Sequence, residues 1–310
     1  MKYYVGVTDN RWYEFLADLK PDEVNFWRPS GRDAFRAIPQ GSPFLFKLHS
    51  PLNFIAGGGF FVKFERLSLS MAWDVFEQKN GAPDAQALSE MIRGHRSDGA
   101  RDPVIGCVVL AEPFFFDRDD WIPAPSNWSR NIVTGKTYDT NDHIGRAVWE
   151  EVTLRLEASG LASTIGLLRE TQARDANRFG REYMARARLG QSIFRLFVTD
   201  AYHRRCAVTG EKVLPALEAA HIKPYKEGGP HRVENGLLLR SDIHKLFDRG
   251  YLTLTNDLRV DVSLSIREEF HNGEEYYRLR KSPLTVLPDS RQEQPSREHI
   301  EWHQENVFRA

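Results

Sequence analysis

The segment that most constrains the fold is residues 204–265, which arranges two histidines and an asparagine around a glycine-rich loop. His221 lies in the apolar run ALEAAHIKP, which predicts a buried strand, and the loop YKEGGPHRVENG that follows contains Asn235 near its end. The next run, GLLLRSDIHKLFDRG, passes from a short strand into a helix that carries His244, and YLTLTNDLRVDVSL predicts a hairpin. This order predicts a small α+β module.

These residue types suit the hydrolysis of a phosphodiester. A neutral imidazole near pH 7 can take a proton from the attacking water, and a divalent metal ion can stabilise the departing oxygen. The predicted strand would hold one histidine rigidly, the helix would present a metal ligand, and a polar residue in the loop would brace the histidine. Taken without any resemblance, the same residues also fit two structural histidines whose hydrogen bonds are satisfied inside the module.

Together the runs RCAVTG, LEAAHIKPY and GGPHRVENGLLLRSDIHKLFDRGYLTL resemble the HNH endonuclease modules of bacterial restriction-like proteins, which have a ββα-metal fold. The resemblance implies a metal-dependent endodeoxyribonuclease within a nuclease domain spanning 204–310 and its C-terminal tail. It implies that His221 is the general base, that Asn235 orients the water or the phosphate, and that His244 binds a divalent ion such as Mg²⁺, Mn²⁺, Co²⁺ or Ni²⁺.

One position departs from this pattern. Many HNH modules carry a metal ligand immediately before the base, where this chain has Ala220. Glu218 lies two residues earlier and so on the same face of the predicted strand, and Asp242 is a second candidate ligand. His231, in the Gly-Gly-Pro loop, is expected at the surface. Because the chain has no cysteine cluster, we expect no structural zinc.

Residues 1–142 predict a mostly β domain with a helical insertion over 71–99, and five of the seven tryptophans precede residue 130. The run GSPFLFKLHSPLNFIAGGGFF is similar to the PUA-like group, a β-barrel family that includes the EVE and SRA readers of modified bases. Such readers flip a base out of the stack and hold it between aromatic rings. Candidate pocket residues in polar or loop-like segments are Trp27, Trp128 and Tyr138, with Asn25, Ser30, His49 and Asp139.

Residues 143–203 predict a helical linker rich in arginine, with nine arginines against four acidic residues over 169–205. An arginine-rich helix that leads into a nuclease module indicates contacts with phosphates, although a solvated helix face is the ordinary alternative. The candidate DNA-binding residues are Arg188, Gln191, Arg195, Arg205 and Lys223.

The composition limits the partners and the compartment. The formal net charge of −1 excludes attraction to DNA by a global positive field, so DNA binding needs local patches. The two cysteines are too few for a disulfide framework, and no apolar run reaches 18 residues. We therefore expect a cytoplasmic protein without a membrane partner, and a homodimer, because one active site cuts one strand.

The sequence thus predicts a modification-dependent DNA endonuclease of the type IV restriction kind, acting in phage defence on double-stranded DNA that carries modified cytosine. Two alternatives stay open. One is a non-catalytic DNA-binding protein with a decayed site, which Ala220 favours. The other is a nuclease effector whose amino-terminal domain senses a small nucleotide or a protein.

Overall fold

The computed structural model describes residues 1–158 and 189–310, and the chain divides into two units, Met1–Arg188 and Leu189–Ala310. Two helices of the predicted linker belong to different cores. Helix α4 (His143–Ala158) buries Trp149 and Val152 in the first unit. Helix α5 (Gln191–Ala201) buries Phe194 and Val198 in the second. The rest of the predicted linker, 159–188, lies outside the described residues.

A mixed, seven-stranded sheet forms the frame of the first unit. Its hydrogen-bonded order is β2-β5-β4-β3-β1-β7, β6 pairs with β4, and β1 runs parallel to β3 whereas the other pairs are antiparallel. The strands are β1 (Lys2–Thr8), β2 (Glu23–Arg28), β3 (Pro43–Leu48), β4 (Phe54–Ser68), β5 (Val104–Phe115), β6 (Ile122–Pro123) and β7 (Gly135–Asp139). The helices before α4 are α1 (Asn10–Leu19), α2 (Leu69–Phe76) and α3 (Ala85–Arg93).

This sheet is open, whereas the sequence had predicted a barrel. Within residues 1–158 the path of paired strands ends at β2 and β7, which do not pair with each other. Strand β2 instead contacts the helical insertion that follows β4. The indole nitrogen of Trp27 donates to the carbonyl of Asn80 at 3.0 Å, and the amide of Asn25 donates to Asn80 Oδ1 at 2.8 Å. The helical insertion therefore packs on an end strand, as helices that cover sheet edges do.

The second unit contains the elements predicted around the two histidines. Strands β8 (Leu217–His221) and β9 (Gly236–Arg240) form an antiparallel pair, and α6 (Ser241–Asp248) follows β9 directly. The remaining elements are β10 (Leu252–Leu254), β11 (Val260–Val262), α7 (Ser265–Phe270), α8 (Glu274–Tyr277) and α9 (Arg297–Asn306). The pattern of RCAVTGE predicts a strand and a turn, and the structure has turns but no strand in this stretch.

Helix α6 is fixed by its apolar face. Ile243 and Phe247, four residues apart, are buried in the core of the unit, and the ring of His303 on α9 stacks on Phe247 at a centroid distance of 3.9 Å. Since side chains four residues apart share a helix face, His244 and Asp248 lie together beside that buried stripe.

In the part of the chain that the structure describes, no helix is long and apolar enough to cross a membrane.

Candidate active site

His221 ends β8 and is paired in register with Gly236 of β9. Its imidazole stacks on the ring of Phe194 at a centroid distance of 3.9 Å and an interplanar angle of 12°. Glycine at 236 permits this arrangement, because a Cβ there would lie 2.4 Å from a methyl carbon of Val198 and 3.0 Å from the Phe194 ring. The close approach of α5 to β9 thus places an aromatic platform under the predicted base.

A second imidazole contacts the first. His231 Nδ1 lies 2.9 Å from His221 Nε2, and the His231 ring stacks on Tyr225 at 4.3 Å. His231, which the sequence places at the surface, is half-buried. Burial, followed by the nearby charges of His231 and His244, lowers the pKa of His221 to about 4, against the opposing effect of Asp248. His221 is therefore neutral at pH 7, the form that accepts a proton.

Asn235 is fully buried and holds the loop between the two histidines. Its Oδ1 accepts from the backbone amide of Lys223 at 2.9 Å, and its Nδ2 donates to the carbonyls of Lys223 at 2.9 Å and Pro230 at 3.0 Å. Gly229 lies against this clamp, since a Cβ there would be 1.9 Å from the Lys223 carbonyl oxygen. The side chain that the sequence predicted to orient water or phosphate is here bonded to the loop backbone.

His244 lies between two carboxylates. Its Nδ1 is 2.5 Å from Glu218 Oε2 and its Nε2 is 3.3 Å from Asp248 Oδ2. Burial lowers the pKa of His244, but the hydrogen bonds and charges of Asp248 and Glu218 outweigh it, so the pKa is raised overall. For Glu218, burial raises the pKa, yet the bond to His244 leads the opposing effects and the net pKa is lowered. The histidine thus binds its neighbours most strongly as a cation.

Asp242, the other predicted ligand, is held elsewhere. Arg240 donates to both of its carboxylate oxygens, at 2.7 and 2.8 Å, and the Tyr276 hydroxyl donates at 3.2 Å. Within residues 1–158 and 189–310, no group of three or more His, Cys, Asp or Glu has the geometry of a metal site. The imidazole of His244 and the carboxylates beside it nevertheless fit the donor chemistry of a divalent ion that keeps water and phosphate ligands.

Four of the five predicted DNA-binding residues belong to the second unit. Gln191 is exposed in the first turn of α5, and Arg195 of the same helix is half-buried. Arg205 Nε donates to the Gly210 carbonyl at 3.4 Å, and the ammonium of Lys223 lies 5.6 Å from the Trp302 ring centre. Arg188 lies outside the described residues.

The first unit contains a cavity of about 330 Å³, and six of its sixteen lining residues are Tyr, Trp or Phe. Three predicted pocket residues, Trp27, Ser30 and His49, line it. The lining also includes residues that the sequence analysis did not select: Tyr4, Val7, Asp9, Trp12, Phe26, Arg28, Pro29, Phe35, Phe44, His95, Val108, Val133 and Thr134. The alternation of Tyr4 with buried Tyr3 and Val5 in β1 was a signal for Tyr4, whereas nothing local marked His95.

The other predicted pocket residues do not line this cavity. Asn25 is buried against Asn80, and Trp128 lies under the ammonium of Lys47, 5.3 Å from its ring centre. Tyr138 stacks on Tyr3 at 5.8 Å in the core, and the Asp139 carboxylate accepts from the amino terminus at 3.4 Å. The structure therefore assigns these four side chains to packing or local hydrogen bonds.

Comparison with known proteins identifies the second unit's module. A family model described as HNH endonuclease matches residues 206–255, so the chain carries an HNH endonuclease domain there and with it a nuclease role. The match covers β8, β9, α6 and β10 and includes the two predicted catalytic histidines. No curated protein sequence matches the chain.

Two solved structures are similar at low identity. The modification-dependent TagI restriction endonuclease is 16% identical, with 92% of this chain and 75% of that chain covered and a TM-score of 0.29. A mutant of ZmASCH from Zymomonas mobilis is 13% identical, with 42% of this chain and 92% of that chain covered and a TM-score of 0.28.

Proposed function

We propose that this chain is a modification-dependent DNA endonuclease that binds a modified cytosine in the first unit's cavity and hydrolyses phosphodiesters at His221. The observation that carries the nuclease part is the position of His221 within the HNH domain, at the rigid end of β8 and stacked on Phe194. A base must be held in place while a substrate binds, and this stacking supplies that rigidity.

The contact between the two imidazoles is compatible with a tautomer of His221 whose Nδ1 can accept a proton. If His221 Nε2 carries the proton and donates to His231 Nδ1, 2.9 Å away, then His221 Nδ1 keeps its lone pair. Within residues 1–158 and 189–310, Nδ1 has no hydrogen-bond partner. Nδ1 would take the proton from water as the water oxygen bonds to phosphorus, and the bond from phosphorus to the leaving oxygen would break. That oxygen then takes a proton from solvent.

A divalent ion at His244 would neutralise the phosphate charge and stabilise the leaving oxygen. His244 is placed for this by α6, whose apolar face fixes the helix against the core. Among the predicted ligands, Glu218 contacts His244 directly, whereas Asp242 is bound by Arg240. The chain's own contribution is to position these donors and the neutral base on one strand-helix unit.

The proposed selection of a modified base rests on the cavity of the first unit. Its volume of about 330 Å³ is at the lower end for small-ligand sites, which suits a single base or nucleotide. Trp27 and Tyr4 offer ring faces, while Ser30, His49 and Arg28 offer polar groups that can bond to a base edge. The cavity would equally suit a free nucleotide, so the effector function is the second candidate.

The two candidates differ in what triggers cleavage. We would incubate the full chain with matched duplexes containing cytosine, 5-methylcytosine or 5-hydroxymethylcytosine, in Mg²⁺ or Mn²⁺, with an EDTA control. We expect preferential cutting of one modified duplex, no cutting in EDTA, and a loss of about 10²-fold or more in His221→Ala while DNA binding survives. Cutting of both strands would fit either a homodimer or two independent events, and the molar mass of the protein in solution separates the two.

Equal cutting of all three duplexes at matched salt would refute base selection. Cutting that requires an added mononucleotide would instead support the effector function. A His221→Ala variant that cuts at the wild-type rate, or full activity in EDTA, would refute the assigned chemistry. Specific binding without cutting under any metal would favour the non-catalytic alternative.

A further inference from the structure

The cavity of the first unit has one basic and one acidic side chain in its wall, besides two histidines, as far as the described residues go. Arg28, the last residue of β2, supplies the cation, and Asp9, which caps α1, supplies the carboxylate. Tyr4 of β1 also lines the cavity, and five steps of extended chain at about 3.3 Å each separate it from Asp9 by about 16 Å. Because the charge of Arg28 acts on the Tyr4 hydroxyl, the cation lies at the Tyr4 end of the cavity and the carboxylate at the other end.

The guanidinium of Arg28 has no carboxylate partner among the described residues of the first unit. Its Nη1 donates to the carbonyl of Asp33 at 3.4 Å, which is longer than the range of about 2.7–3.2 Å that N–H···O bonds have. This contact uses one of the five N–H donors of an arginine, and the residue is half-buried. Since removing a cation from water is unfavourable unless a counter-charge compensates, the position favours an anionic ligand.

The Tyr4 hydroxyl is a second donor at the same end of the cavity. Burial raises its pKa, whereas its hydrogen bond with Thr134 and the charge of Arg28 lower it, and the net pKa is raised. The hydroxyl is therefore protonated at pH 7 and can donate. Its ring is fixed, because Phe35 packs edge-on against it at a centroid distance of 5.0 Å and a Cβ at Gly135 would lie 2.6 Å from it. An arginine with a hydroxyl donor beside it suits the oxygens of a phosphate group.

From this geometry we infer that Arg28 binds the phosphate group of the nucleotide whose base occupies the cavity, with the Tyr4 hydroxyl as a second donor. The ligand is then a nucleoside monophosphate unit, and not a bare base or a nucleoside. The opposite orientation would put the phosphate beside Asp9, where like charges repel. The inference rests on the proposed function, because it takes the cavity as a nucleotide site. It applies both to a nucleotide flipped out of DNA and to a free nucleotide.

The test is equilibrium binding to the full chain in EDTA, measured by isothermal titration calorimetry and independent of cleavage. The probes are the 2′-deoxynucleosides of cytosine, 5-methylcytosine and 5-hydroxymethylcytosine, and the 5′-monophosphate of each. A charge-assisted hydrogen bond to phosphate is strong enough that wild type should prefer the monophosphate by about 10-fold or more. Arg28→Gln should reduce this preference to about twofold or less, because it keeps a polar side chain but removes the charge.

Arg36→Gln is the matched control, because it removes the same charge from an exposed residue that does not line the cavity. Its preference for the monophosphate should equal that of wild type, and thermal midpoints show whether each variant is folded. Equal affinity of wild type for nucleoside and monophosphate would overturn the assignment. So would an unchanged preference in Arg28→Gln, an equal loss in Arg36→Gln, or a wild-type chain that binds no monophosphate at millimolar concentrations.

A band shift in EDTA with modified duplexes separates the two sources of the phosphate. Weaker binding of Arg28→Gln to the duplex, together with its loss for the monophosphate, supports a contact with a nucleotide flipped out of DNA. A loss confined to the monophosphate supports a contact with a free nucleotide. A wild-type chain that selects modified duplexes without preferring the monophosphate would leave the proposed base selection intact and overturn only the role of Arg28.

Discussion

The asparagine of the HNH motif offers the sharpest test of how this site is built. Asn235 is fully buried, and its amide group makes three hydrogen bonds to the backbone of the loop that carries His231. Its position therefore supports a clamp on the loop, whereas the motif alone suggested contact with water or phosphate. Asn235→Ala removes all three bonds and leaves the backbone amide of Lys223 without its acceptor.

The size of the effect follows from those bonds. At about 1 kcal/mol each, three hydrogen bonds contribute about 3 kcal/mol, and an unsatisfied buried amide adds to the loss. Since about 1.4 kcal/mol is a factor of ten in an equilibrium, local opening of the loop should become about 100-fold more frequent. Because His231 lies in the same loop, its contact with His221 should loosen and cleavage should fall as well.

Amide hydrogen exchange measures this opening directly. We expect the Lys223 amide to exchange about 10- to 100-fold faster in Asn235→Ala under conditions where exchange reports the opening equilibrium. The amide of Phe116, bonded to the Ala56 carbonyl at 2.8 Å in the other unit, should be unaffected. Asn306→Ala is the matched control, because that exposed side chain bonds only to its own helix, and its effect should be within about 0.5 kcal/mol.

One result would refute the clamp. If Asn235→Ala kept wild-type protection at Lys223 and wild-type stability yet lost cleavage, the side chain would act on the substrate instead. The opposite pattern, faster exchange together with a loosened loop, would make Asn235 a positioning residue for the histidine pair.

Two further predictions concern pH and base selection. Burial lowers the pKa of both His221 and His303 from 6.5 to about 4, so unfolding takes up protons as the pH falls. The buried His303 should contribute about 3 kcal/mol to the free energy of unfolding, and the more exposed His221 should contribute less because solvent screens it. Both contributions are present above pH 6.5 and lost by pH 4, and urea unfolding at several pH values measures them. A free energy of unfolding that rises on acidification across this range would contradict the prediction. The second prediction uses a His221→Ala background, which cannot cut DNA. In a band shift, Trp27→Ala should lose its preference for modified duplexes, whereas Trp128→Ala, which lies outside the cavity, should keep it. Equal losses in both variants would contradict a pocket built on Trp27.

The elements around the site could be predicted because their signals are local. Alternating and periodic apolar residues gave strand β8, the passage from β9 into α6, and the hairpin of β10 and β11, all of which the structure contains. A chain segment whose pattern, turns and spacing all agree leaves few alternatives.

The contacts of the site could not be predicted in the same way. His231 meets His221 because Asn235 closes the loop, and no periodicity reports a loop's path. Asp248 was within reach of a sequence argument, since a spacing of four on a helix puts it beside His244.

The cavity of the first unit shows a different limit. Its wall draws on β1, β2, β3 and β5 and on the segment before β7, so its membership depends on strand pairings between distant parts of the chain. Composition marked tryptophans in loop-like segments, but it could not separate Trp27, which lines the cavity, from Trp128, which lies beside Lys47. Whether the sheet is open or closed likewise depends on whether β2 and β7 pair with each other, and no local sequence pattern specifies that pairing.

The alanine before the base can now be understood from its surroundings. Ala220 is completely buried in the apolar core of the second unit, next to residues such as Leu237 on the paired strand. A carboxylate at that position would lose its hydration, which costs several kcal/mol unless a partner compensates. Glu218, two residues earlier, has a half-exposed side chain, and Asp248 is more exposed still. The packing around Ala220 therefore excludes a charged side chain at position 220. The acidic groups near His244 come instead from Glu218 on β8 and Asp248 on α6. For this reason the alanine does not by itself imply a decayed site.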